Sequence, residues 1–158
     1  MVTLALHTGL RLGELRTQRW ADVDLPAGAL SITRPKSRKP ESLPLNKTAR
    51  GVLAALERTD PLVFPTLPKK LSDLFIRYVR KAGLNDVTFH CLRDTFISRL
   101  APRVTTPTLM ALARHRNYRT TRRYVKVDGA HLRGAVERIA ECGCHSPTAL
   151  VNSLLESK

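Results

Sequence analysis

The chain has 158 residues, 42% of them hydrophobic and 25% charged, with a net charge of +14. That length suits one domain, which needs neither disulfides nor a metal to hold its core, and the composition excludes wholesale disorder. No apolar run approaches the roughly 18–20 residues of a membrane span. Met1 to Leu6 do not read as a signal peptide. The three cysteines, Cys91, Cys142 and Cys144, are therefore expected to be reduced thiols in the cytoplasm.

The predicted elements follow in chain order. Leu4, Leu6, Leu10, Leu12 and Leu15 include helical spacings and predict a helix from Met1 to about Gln18, weakened by Gly9 and Gly13. Ala29 to Arg34 alternates around Leu30 and Ile32 and predicts a strand. Pro35 to Ser42 is a basic hairpin loop, and Ser42 to Leu45 is the return strand. With the Val23 region these make a small antiparallel sheet. Asn46 or Thr48 caps a helix reaching about Arg58. Pro61, Pro65 and Pro68 mark a loop, and Leu71, Leu74, Phe75 and Tyr78 predict a helix that ends at Gly83. Further helices are expected over Phe89–Leu100, from Pro107 through Ala113, over Thr120–Val127, over Ala130–Glu141 and after Pro147. The reading is α+β, mainly α, with a small antiparallel sheet near the N-terminus.

The charge is unevenly spread. His90 to Arg138 carries eleven basic residues against Asp94, Asp128 and Glu137, a net of +8. Arg34 to Arg50 carries six against Glu41, a net of +5, and the stretch between is nearly neutral. Such an excess points to a polyanion, above all nucleic acid; no long basic amphipathic helix argues for a membrane surface.

Three patterns carry chemistry. Thr8-Gly9-Leu10-Arg11-Leu12-Gly13-Glu14-Leu15 is followed by Trp20-Ala21-Asp22. His90-Cys91-Leu92-Arg93-Asp94-Thr95-Phe96 sits on a predicted helix. Ala113-Arg114-His115 precedes Thr120-Thr121-Arg122-Arg123-Tyr124, with nine positions from His115 to Tyr124. In this order and spacing they resemble the catalytic domain of the tyrosine recombinase (phage integrase) family, from about Leu4 to Val127. The family pattern is an arginine in a TGLR-x-x-E-L segment, a hairpin lysine, H-x-x-R, then His or Trp, and a tyrosine nine residues on.

The resemblance implies a site of six residues: Arg11, Lys36, His90, Arg93, His115 and Tyr124. Lys36 is chosen because it stands eight positions before Pro44 of the return strand; Arg38 and Lys39 share its loop and could take its place. Breaking a phosphodiester without a metal needs cations around the charge that develops at phosphorus. Arginine offers planar paired donors for two phosphate oxygens, the role expected of Arg11 and Arg93. A tyrosine nucleophile conserves the bond energy for religation. His90, three residues before Arg93 and on the same helix face, is the candidate base for the Tyr124 proton. The family gives the hairpin lysine, here Lys36, the task of protonating the 5′-oxygen leaving group, and His115 that of donating to the scissile phosphate. No cofactor and no metal are implied. Cys142-Gly143-Cys144-His145 has C-x-C rather than C-x-x-C spacing and reads as a turn. Taken alone, Arg11 is also a natural ion-pair partner of Glu14.

The remaining basic residues are expected to hold DNA phosphates: Arg34, Arg38 and Lys39 in the hairpin, and Arg114, Arg116, Arg119, Arg122 and Arg123 around His115 and Tyr124. Two positions depart from the family pattern. Asp94 stands where a second histidine is usual, adding negative charge beside a phosphate site, and Arg114 stands where glycine favours a tight turn.

The expected organisation is a catalytic domain over 1–128 and a C-terminal helical tail over 129–158. The tail either packs on its own domain or is exchanged in trans. Family proteins carry an N-terminal DNA-clamping domain and a first catalytic-domain helix ahead of TGLR, and only seven residues precede Thr8 here. The implied partners are double-stranded DNA at a specific recombination site and further copies of the chain, as a tetramer on DNA, with no membrane; the implied place is the cytoplasm, associated with the nucleoid. The implied reaction is site-specific strand exchange through a 3′-phosphotyrosine. Three other readings share these residues: relaxation of DNA in the manner of a type IB topoisomerase, an inactive remnant that occupies recombination sites, and an interaction protein that joins a full-length partner.

Overall fold

The computed structural model describes residues 1–32, 41–125, 132–134 and 136–137. The chain divides into two compact units, Met1–Tyr124 and Val125–Lys158.

The leucine-rich start forms two helices rather than one: α1, Val2–Thr8, and α2, Leu12–Thr17. Gly9 separates them with a left-handed φ of 60°. Its amide closes α1 by donating to the Ala5 carbonyl at 2.9 Å. A Cβ at Gly9 would press into the Phe96 ring, 3.0 Å from Cε1 and closer still to Cδ1. Both backbone angle and packing therefore demand glycine here. Leucine periodicity reports which residues are apolar, but the break lies at the left-handed Gly9, against which a ring 87 positions away packs.

A 3₁₀ turn, Trp20–Asp22, leads into three short strands: β1, Val23–Asp24; β2, Ala29–Ile32; and β3, Glu41–Pro44. They pair antiparallel in the order β1-β2-β3, with Val23 opposite Leu30 and Leu30 opposite Leu43. Leu30, Ile32 and Leu43 are buried, the two-residue alternation expected of a sheet with one face on the core. The predicted hairpin loop falls largely on residues 33–40, outside those described.

Helix α3, Lys47–Ala54, is capped by Asn46, whose side chain accepts from the Ala49 amide at 2.9 Å. It stops short of the expected Arg58. Helix α4, Leu71–Lys81, is followed by Gly83 at φ 77°. Helix α5, Phe89–Leu100, has the predicted bounds, and its Phe89 ring meets Phe75 edge-on at 5.3 Å. Helix α6, Thr106–Ala113, has Thr105 as cap and proline in its first turn. Helix α7, Tyr118–Arg122, starts earlier than predicted because Asn117 caps it, and it ends before Tyr124.

Leu4, Leu10, Leu15, Leu30, Leu43 and Leu53 are essentially inaccessible and join one core. Each contributes about 1.5–3 kcal/mol by leaving water. Helix α1 packs against both α3 and α5. Among the described residues no helix is long and apolar enough to cross a membrane. In the second unit, residues 132–134 and 136–137 are helical, within the helix expected over Ala130–Glu141. The helix predicted after Pro147, and Cys142-Gly143-Cys144-His145, lie outside the described residues.

Candidate active site

The break between α1 and α2 places Arg11 at the N-cap of α2. Its amide donates to Glu14 Oε2 at 2.8 Å, and its Nη1 donates to Glu14 Oε1 at 3.0 Å. The arginine is anchored by one turn of its own helix while its side chain stays 41% exposed. That is the geometry of a cation held ready for a solvent-borne anion.

Arg93 is different: it is 2% exposed. Its Nη1 donates to the Gly9 carbonyl at 2.5 Å, and its Nη2 donates to the Ala113 carbonyl. One guanidinium thus ties the α1–α2 break to the end of α6. Burial, and then repulsion from Arg11 and Arg114, lowers its pKa to about 10. It is still charged at neutral pH, and an anion nearby would relieve the repulsion. Arg11, His90 and Arg93 line a cavity of about 270 Å³ together with Leu10, Ser72 and Thr88.

His115 follows a left-handed residue. Arg114 closes α6 at φ 54°, ψ 43°, and the His115 amide donates to the Met110 carbonyl at 3.0 Å. His115 Nδ1 lies 2.9 Å from the hydroxyl of Thr121, which is fully buried. Burial, then the charges of Arg93, Arg11, Arg123 and Arg114, lowers the His115 pKa to about 4. The ring is neutral at pH 7 and has one N–H to give. If the Thr121 hydroxyl donates to Nδ1, that N–H is on Nε2.

Tyr124 sits in the turn after α7, its amide donating to the Thr121 carbonyl at 2.9 Å. Its ring stacks on His115, with centroids 6.3 Å apart and planes at 24°. The Arg123 guanidinium lies 4.7 Å from the phenol ring centroid. The phenol oxygen accepts from Arg123 Nη2 and donates to Asp94 Oδ1. Burial, and then the hydrogen bond to Asp94, raises the Tyr124 pKa, which Arg123 partly offsets. Asp94 Oδ1 also accepts from Arg123 at 3.2 Å and lies 3.7 Å from His90 Nε2.

Proteins of known sequence and structure are similar to this chain. The sequence pattern of the "Phage integrase family" matches residues 1–131. The chain belongs to the phage integrase family. The tyrosine recombinase XerA of Pyrococcus horikoshii is 31% identical, over 87% of this chain and 53% of that protein. XerA of Thermococcus kodakarensis is 34% identical, over 87% of this chain and 54% of its own length. The chain thus spans about half the length of the curated relatives it matches. The Tn1549 transposon integrase, solved with a circular intermediate DNA, superposes with a TM-score of 0.73 at 19% identity, over 87% of this chain and 57% of that one. The fold is that of the family's catalytic domain, α+β and mainly helical.

Within this phage integrase fold, five of the six expected residues come together: Arg11, His90, Arg93, His115 and Tyr124 share one face through the contacts above. Lys36, and with it Arg34, Arg38 and Lys39, lies outside the described residues. Arg116, Arg119, Arg122 and Arg123 are exposed.

Arg114 corrects the sequence reading. It was expected to meet DNA, but its side chain is 3% exposed. Its Nη2 donates to Glu14 Oε2 at 2.8 Å and lies 3.2 Å from the Gly9 carbonyl. The left-handed turn costs a non-glycine residue about 1–2 kcal/mol. It also directs the side chain inward, where a largely buried carboxylate receives it. Burial alone would raise the Glu14 pKa, but Arg114 and then Arg11 bring it below the ordinary value. Glu14 therefore links Arg11 to Arg114. The sequence presents Glu14 as the glutamate of the TGLR-x-x-E-L segment and as an ion-pair partner of Arg11, and it holds no local signal for Thr121. Among the described residues no group of three or more His, Cys, Asp or Glu side chains is placed to hold a metal.

Proposed function

We propose that residues 1–128 form the catalytic domain of a site-specific DNA recombinase and that 129–158 form its C-terminal tail. The observation that carries the reading is the phenol of Tyr124 stacked on neutral His115, beside the buried Arg93 and the exposed Arg11. A scissile phosphate bound there would have two guanidiniums on its non-bridging oxygens. Arg93 cannot swing away, since two main-chain carbonyls hold it; such preorganised charge is the main source of transition-state stabilisation.

Tyr124 Oη attacks phosphorus, the Tyr–O–P bond forms, and the P–O5′ bond breaks. The phenol proton passes to His90, and Lys36 gives a proton to the departing 5′-oxygen. His115 donates an uncharged hydrogen bond to a phosphate oxygen. A 5′-hydroxyl from a second strand then attacks the 3′-phosphotyrosine, rejoins the DNA and releases Tyr124. The DNA seen with the Tn1549 integrase supports duplex DNA as the partner. The exposed arginines 116, 119, 122 and 123 are suited to its phosphates. Assembly as a tetramer on a recombination site belongs to the same proposal.

Adduct trapping tests the reading. Wild type incubated with nicked suicide duplexes should give an SDS-resistant, protease-sensitive complex, and Tyr124→Phe should give none while still shifting DNA on a gel. A complex that persists in Tyr124→Phe would refute the assignment of the nucleophile.

A further inference from the structure

Asp94 is the one acidic side chain touching the nucleophile among the described residues. It stands on α5, one residue beyond Arg93, and reaches across 30 positions of sequence to the phenol. We propose that Asp94 is a resting-state latch: its carboxylate holds the Tyr124 hydroxyl, proton included, against α5 until a DNA phosphate displaces it. The inference rests on Tyr124 being the nucleophile.

The phenol O–H points at a carboxylate, so the contact stores the proton on oxygen and engages the lone-pair side of the attacking atom with Arg123. In this pose the oxygen is doubly occupied and is not free to meet phosphorus. Asp94 is itself fixed by Arg123 at 3.2 Å and lies 3.7 Å from His90 Nε2. A phosphate drawn in by Arg11 and Arg93 would bring negative charge beside that carboxylate. It would compete for Arg123 and repel Asp94, which favours release of the phenol. Binding and unlatching are thereby coupled: the ligand that needs the nucleophile is the one that frees it. The ionisable groups facing the hydroxyl are Asp94, His90 and Arg93 on α5, His115 beyond α6, and Arg123 beside Tyr124. Of these only Asp94 is anionic.

The whole 158-residue chain, labelled with ¹³Cζ-tyrosine, tests the latch without DNA. It has three tyrosines, so Tyr124→Phe assigns the signal. In Asp94→Asn the Tyr124 resonance should titrate at lower pH than in wild type. In Arg123→Gln it should titrate at higher pH, and Tyr78 and Tyr118 should not move. Asp94 and Arg123 are 37% and 58% exposed, so neither change threatens the fold. An unchanged Tyr124 titration in Asp94→Asn overturns the proposal. Suicide-substrate trapping supplies the second readout: Asp94→Asn should form adduct severalfold faster at neutral pH, with its pH profile displaced downward. Slower adduct formation at every pH would make Asp94 a required proton acceptor and would also overturn the latch. If no variant, wild type included, forms an adduct, the recombinase reading fails, while the resonance shift still decides the Asp94 contact.

Discussion

Replacing Gly9 by alanine should destabilise the protein more than an ordinary surface change, and through two separable causes. The left-handed φ of 60° costs an alanine about 1–2 kcal/mol. The new methyl also meets Phe96, within 3.0 Å of Cε1, and the ring belongs to a packed helix. Overpacking of that kind costs typically about 1–3 kcal/mol. The sum is about 2–5 kcal/mol, or a fall of about 4–20 °C in melting temperature for a domain of this size. Chemical denaturation of wild type, Gly9→Ala, Phe96→Leu and the double variant separates the causes. The clash should appear as a coupling of about 0.5–3 kcal/mol, with Gly9→Ala cheaper when Phe96 is absent. The substitution should also slow adduct formation, because the Gly9 carbonyl holds Arg93. A Gly9→Ala loss under about 0.5 kcal/mol would refute the argument. Additive single effects would refute the clash.

Four further predictions concern pH and salt. The His115 pKa falls from an ordinary 6.5 to about 4 on folding, so the unfolded chain takes up the proton first. Its contribution to stability is full above pH 6.5 and is lost as pH falls toward about 4; His115→Gln should flatten the unfolding free energy across that window in denaturant titrations. Glu14 is depressed too, but as an acid: its contribution is full above its ordinary 4.5 and is lost below it, so Glu14→Gln should flatten only the more acidic limb. Arg114→Ala should lower the melting temperature yet leave the salt slope of DNA binding unchanged, since its guanidinium is buried against Glu14. Arg116→Ala should reduce that slope by about 0.9, one phosphate's worth, in gel-shift or anisotropy titrations.

Much of this protein is determined by short stretches of its own sequence. Apolar spacing, proline and glycine place α4, α5 and α6, because helix periodicity and chain termination act within a few residues. The arginine, histidine and tyrosine motifs declare the chemistry in the same local way. Tertiary structure decides what depends on partners distant in sequence. Gly9 breaks the first helix where the Phe96 ring meets it. Arg114 reads as one more basic residue facing DNA until the fold brings Glu14 beneath it, across 100 positions. Asp94 reads only as an odd charge near a phosphate until α5 and the turn after α7 converge and set it on the nucleophile. Local sequence carries backbone preference and chemical type, whereas burial, charge pairing and orientation are properties of atoms that only folding brings together.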